Sequence, residues 1–195
     1  MEPDPEAGAY ATAVMDWRLQ TFAMYAEVRE TALLNPAAAH QLWRQRRDSL
    51  FRGHAASPLN DAKKELFTGL AVSRYDPAYR FEGVLTGTGA GEEMNVNTGT
   101  DGVVPFVRLG SFDVPGIGTL AVWRLRSYGA GRYLLDTVKG AYLGQRGGSF
   151  VLDFNFAYNP SCAYDEAWAC PLPGQDNRLA VEIPVGELYR PELAD

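Results

Sequence analysis

The feature that most limits the fold is a change of hydrophobic period near Phe67. Before it, from Ala7 to Leu34, Val14, Trp17, Leu19, Phe22, Tyr25, Ala26 and Val28 recur at roughly helical spacing with no internal proline. Asn35-Pro36 then interrupts the run. An asparagine side chain caps a helix, and the fixed φ of proline suits a first turn. These signals predict one helix over Ala7–Leu34 and a second over Pro36–Arg52. The second has Leu42, Trp43, Leu50 and Phe51 as its apolar stripe and Gly53 as its stop. Ser57-Pro58 reads as the start of a third, short helical turn in SPLNDAKKELF.

After Phe67 the apolar residues fall into short runs broken by turn signals. Strands are predicted near Phe67–Tyr75, Arg80–Thr86, Val103–Leu109, Thr119–Arg126, Arg132–Val138, Phe150–Ala157 and Arg178–Val185. The Gly/Asn/Thr-rich stretch between Thr86 and Gly102 reads as a hairpin tip or mobile loop, or as a weak strand around Met94–Asn97. Many short strands with no helices between them favour an antiparallel arrangement. The expected fold is therefore α+β and mainly β: an antiparallel β-barrel or sandwich with two to three N-terminal helices packed against it. A helical region over residues 1–56 and a β domain over 57–195 are expected to form one compact unit.

Composition narrows the function classes. Hydrophobic residues make up 46% of the 195 and aromatics 12%, ample for a core, so this is not a disordered chain. A net charge of −6 argues against general binding to nucleic acid, which needs a basic face. The one basic cluster, Arg44, Arg46 and Arg47 with Arg52, is read as a solvated helix face rather than a phosphate site. The start, MEPDPEAGAY, lacks the apolar core of a signal peptide, and no run approaches the roughly 20 apolar residues that span a bilayer. A cytoplasmic protein without membrane or nucleic-acid partners is expected. Two cysteines in a chain this long are not a disulfide scaffold.

The cleanest alternation is FVLDFNFA. Phe150, Leu152, Phe154 and Phe156 share one face, while Val151, Asp153, Asn155 and Ala157 share the other. Two readings of the second face stand side by side: a solvent-facing side, or the polar lining of a barrel mouth or cleft. Across a ladder, Arg132 or Arg124 is positioned to meet Asp153. Such a pair either holds a ligand carboxylate or phosphate or is a structural ion pair.

The following loop, NPSCAYDEAWACPLP, crowds both cysteines, two acids and three prolines together. Prolines and an Asx turn make it stiff. Cys162 and Cys170 admit a disulfide, a metal site or a nucleophile, and two buried thiols packing as small apolar groups. The only histidines, His40 and His54, lie in the helical part. No phosphate loop, GxSxG, HExxH or EF-hand loop occurs.

The runs GAGRYLLDTVKGAYLG, LDFNFAYNPSCAYDEAWACPLP and NRLAVEIPVGE, with SPL and FTGLAVSRYDPAYRF upstream, resemble the bacterial family called domain of unknown function 1684. The resemblance runs from Trp43 to Glu187. It implies no activity, since none is assigned to the family. Its characteristic residues correspond to Gly131, Arg132, Tyr133, Asp153, Asn155, Tyr158, Asn159, Pro160, Cys162, Tyr164, Cys170 and Pro171. The chain departs from the family pattern in one place. RLRSYGAGRYLLD runs straight from Tyr128 into Gly131, without the preceding PF-D-TSG strand.

The resulting expectation is a domain that binds a small polar or anionic ligand. Its pocket would be built from Arg132, Asp136, Asp153, Asn155, Tyr158, Asn159, Cys162, Tyr164 and Cys170. As an enzyme it would use Asp153 or Asp165 as general base. No cofactor is expected. The alternative is a non-catalytic structural or interaction protein whose loop is only a rigid corner. A third option is a metal site of Cys162, Cys170 and an acid. The long first helix is a candidate surface for homo-oligomers.

Overall fold

The two predicted N-terminal helices form as α1 (Pro5–Leu34) and α2 (Pro36–Gly53) in a computed structural model that describes residues 5–97, 103–125, 141–165 and 178–190. Asn35 Oδ1 accepts the Ala38 amide at 3.0 Å, and Pro36 occupies the first turn. The short α3 (Asp61–Leu66) starts later than expected. Its cap is Asn60, whose side chain accepts from the Lys63 amide at 2.9 Å. Ser57 serves the preceding turn instead, donating to the Phe51 carbonyl at 2.6 Å and accepting from the Leu59 amide at 3.2 Å.

Six strands follow among the described residues: β1 (Arg80–Val84), β2 (Glu93–Asn97), β3 (Val103–Val114), β4 (Gly118–Leu125), β5 (Gln145–Arg146) and β6 (Ser149–Asp153). They build two antiparallel three-stranded sheets, ordered β1-β6-β5 and β2-β3-β4. An isolated bridge between Thr86 and Ser111, with reciprocal amide–carbonyl bonds of 2.9 and 3.1 Å, joins the sheets. The register slips beside it, between Arg108 and Gly110. Gly110 has a φ of 153°, and a Cβ there would lie 1.9 Å from the Thr86 carbonyl oxygen, so the join admits only glycine. Among the described residues the sheets do not close into a barrel.

Three of the expected strands come out differently. Phe67–Tyr75 and Arg178–Val185 form no ladder among the described residues. Val72 bridges Glu187, flanked by a Ser73 N–H to Gly186 bond of 3.0 Å and a Leu188 N–H to Ala71 bond of 2.7 Å. Phe150–Ala157 stops being a strand at Asp153. There the Asp153 carboxylate accepts the Asn155 amide at 3.1 Å and turns Phe154–Phe156 into a 3₁₀ turn. Arg132–Val138 lies outside the described residues.

That turn explains how the cores are divided. Leu152 and Phe154 face Phe112, Val114 and Val185, with Phe150 against them, in the core between the two sheets. Val151 points the other way, into a core shared with Met24, Tyr25, Val28, Ala32, Ala39 and Trp43 of the helical hairpin. Phe156 joins this second core, because the 3₁₀ turn breaks the period of two that would have kept it with Phe154. A third core gathers Phe51, Leu59, Phe67, Leu70 and Tyr164. β6 is thus covered on both faces, by sheet on one side and helices on the other. On the second face of FVLDFNFA, Val151, Asp153 and Asn155 are buried and Ala157 is half-buried, so that face does not look onto solvent.

Candidate functional site

Two buried carboxylates sit where α2 crosses the β6 corner. Asp153 has no solvent exposure. Its Oδ2 accepts Arg80 Nη1–H at 2.9 Å and faces the Tyr75 hydroxyl at 3.4 Å. Its Oδ1 accepts both the backbone and side-chain N–H of Asn155, at 3.1 and 2.8 Å. Asn155 is in turn spent on Asp76, accepting its amide at 2.7 Å and donating to its carbonyl at 2.8 Å. Ladder register fixes the arginine, since Arg80 on β1 lies directly opposite Asp153 on β6. An arginine does stand across the ladder, as expected, and among the described residues it is Arg80. Arg124 stands on β4, opposite Val107 in the other sheet, and Arg132 lies outside the described residues.

Desolvation, reinforced by the charge of Asp153, pushes the Tyr75 hydroxyl up to about 12. His40 closes the inner side of this cluster. It is 3% exposed, stacks on Trp43 at 5.6 Å and meets the edges of Phe156 and Tyr75 at 5.4 and 5.8 Å. Burial holds its imidazole below the usual histidine range, against the pull of the Asn155 backbone and of Asp153.

The second carboxylate, Glu187, is bonded to Arg47 through one oxygen and to the Tyr164 hydroxyl through the other. Arg47 comes from α2, Tyr164 from the end of the loop and Glu187 from the bridge beside Val72. The Arg47 guanidinium lies 5.3, 5.2 and 5.0 Å from the ring centres of Trp43, Phe51 and Tyr158. Burial opposes its charge, but Glu187 overcomes that and raises its affinity for the proton. Burial, then the charge of Glu187, raises Tyr164, while a side-chain bond from Asn159 works the other way. Arg47 therefore corrects the reading of the basic cluster as a solvated face. Arg44 and Arg46 are exposed, but Arg47 falls in step with His40, Trp43, Leu50 and Phe51 and is buried with them.

Of the residues expected at a site, Asp153 and Asn155 meet in the first cluster, and Tyr158, Asn159 and Tyr164 in the second. Cys162 is half-buried in a 3₁₀ turn, Ser161–Ala163, and Asp165 follows that turn with its amide bonded to the Ser161 carbonyl at 3.2 Å. Arg132, Asp136 and Cys170 lie outside the described residues. No group of three His, Cys, Asp or Glu side chains able to hold a metal ion occurs among the described residues. His54 is engaged away from both clusters. Its Nδ1 accepts the Ala56 amide at 3.0 Å, which leaves Nε2–H to donate to Asp16 at 2.9 Å. A cavity of about 350 Å³ lies in the groove between α1 and α2, lined by Met24, Glu27, Arg46, Ser49 and His54 among others. None of the expected site residues lines it. No helix among the described residues is long and apolar enough to cross a membrane.

The model of a family described as "Protein of unknown function (DUF1684)" matches residues 124–188, a stretch that contains both carboxylates. An uncharacterized protein of Haloarcula marismortui, solved in solution by NMR, is 30% identical over 75% of this chain and 90% of its own, with a TM-score of 0.48. No curated protein matches the chain.

Proposed function

We propose, from the premise that this chain belongs to the DUF1684 family of proteins of unknown function, that it acts by presenting a surface rather than by catalysis, with the crowded loop as its structural corner. One observation carries this reading: both oxygens of Asp153 and both oxygens of Glu187 are engaged by groups of the fold itself. Both carboxylate side chains are also fully buried, and a general base must lie within hydrogen-bond reach of the proton that it takes from substrate. The surface best suited to a partner is the outer side of α1, where Met15, Leu19 and Phe22 are exposed at 62, 60 and 41%. With Thr12 and Ala26 they alternate at spacings of three and four, the seam spacing of paired helices, which suits a second copy of the chain. Sedimentation equilibrium across a hundredfold concentration range tests this. The expected result is a dimer that Leu19→Glu converts to monomer without loss of helical circular dichroism. A wild-type monomer at every concentration sinks the self-association reading.

One observation favours a second reading, a small anionic ligand at the mouth of the Asp153 cluster. The Arg80 side chain keeps 19% of its surface in solvent. A thermal-shift panel of phosphates and carboxylates separates the two. A rise in wild-type Tm that disappears in Arg80→Ala supports ligand binding, because a ligand of the folded state alone raises Tm by mass action. No shift with any member of the panel supports the structural corner.

A further inference from the structure

His40 has features that the corner's structural role does not require. It is the one titratable group with a pH near neutrality in its range on the buried face of α2. Its ring is enclosed by Trp43, Tyr75 and Phe156. The Asn155 backbone bonds the ring in the sense that favours its protonated form, and with Nε2 unpartnered Nδ1 is the nitrogen left to make that bond. Nε2 is buried without a hydrogen-bond partner. A neutral imidazole tolerates this, since the unpartnered nitrogen is only an acceptor facing aromatic carbon. A protonated ring does not, because its second N–H would have nothing to bond and its charge would lie in a desolvated cage. The charges that face it are opposed: Asp153 on β6 attracts the cation, and Arg44 on α2 repels it. Asp153 is itself partly neutralised by Arg80 of β1. The remaining titratable neighbours are Tyr75, bonded to Asp153, and Tyr25 of α1, whose hydroxyl accepts from Trp43 at 3.0 Å.

We infer that His40 is an acid-sensitive latch between α2 and the Asp153–Asn155 corner, closing that seam when neutral and loosening it when protonated. The sign follows from linkage. A histidine whose folded form resists protonation binds fewer protons than the unfolded chain below about pH 6.5, so stability is full above that pH and falls as pH drops beneath it. One proton taken up on opening changes the folding equilibrium constant by at most about tenfold per pH unit.

The chain has two histidines, so His54→Gln leaves His40 as the only imidazole. Urea midpoints of this variant between pH 7.5 and 5.0 should fall with acid. Adding His40→Phe, which keeps an aromatic ring against Trp43, should flatten that slope. An unchanged slope in the double variant overturns the latch. If His40→Phe does not fold, proton NMR of the His54→Gln protein gives the same answer directly. A His40 ring resonance that titrates at or above pH 6.5 overturns the inference, and one that titrates below it supports it.

Discussion

The two carboxylates at the β6 corner are both buried, yet they are held in opposite ways. Asp153 is satisfied largely by its own neighbourhood: the Asn155 amides two residues on and an arginine that ladder pairing places across from it. One of its partners reaches water. Glu187 is satisfied by side chains far along the chain, Arg47 at 140 residues and Tyr164 at 23, and its partner Arg47 is buried among aromatic rings. The first arrangement shapes a turn. The second ties a helix, a loop and a C-terminal segment together. Burial alone therefore says little about what an acidic residue does; the sequence distance of its partners says more.

Paired substitutions test the contrast. The largest effect is expected from Glu187→Gln, which leaves the Arg47 cation buried without its counter-charge. About 3–5 kcal/mol should be lost in urea unfolding, the range for breaking a buried pair from one side. Asp153→Asn should cost less, about 2 kcal/mol, because Arg80 can turn to solvent. Equal losses at the two positions would erase the distinction. Tyr164→Phe and Tyr75→Phe then make the same change at both clusters. The first removes a bond to a buried charge, worth about 1.5–3 kcal/mol. The second removes a long contact at the half-buried rim and should cost less than about 0.5 kcal/mol. Alkaline pH gives the mildest test. Both tyrosines hold their protons more tightly when folded, so the unfolded chain ionises first and stability should fall as pH rises above about 10. Tyr164→Phe should reduce that fall more than Tyr75→Phe, as read from Tm between pH 9 and 11.

Much of this was legible in the sequence, though unevenly. The helices and the Asn35 cap are local signals, and so are β1 and β4, which lie close to where the alternation puts them. The Asp153/Asn155 face was visible for the same reason. Pairing is not local. Phe67–Tyr75 has the composition of a strand but among the described residues pairs at one bridge, and nothing in its own residues shows that. Arg80 and Tyr75 were missed because they reach Asp153 from residues distant in sequence, and His40 because helix packing sets it against Tyr75 and Phe156. Arg47 had a signal that went unused: it lies four residues after Trp43 and three before Leu50, on the apolar stripe rather than beside it. Glu187 offered only the Gly186 before it. A Cβ at Gly186 would lie 2.8 Å from the carbonyl oxygens of Phe154 and Ala157, so that segment is pressed against the β6 corner.

The span of the Arg47–Glu187 pair bears on synthesis. A ribosome delivers α2 long before it delivers residue 187, and the helical hairpin can form as soon as it emerges. Until Glu187 arrives, Arg47 has no acid to meet beneath its aromatic rings, so the nascent hairpin must keep that face open to water. A chain halted short of residue 187 carries a half-built helical face of the kind that chaperones and proteases engage.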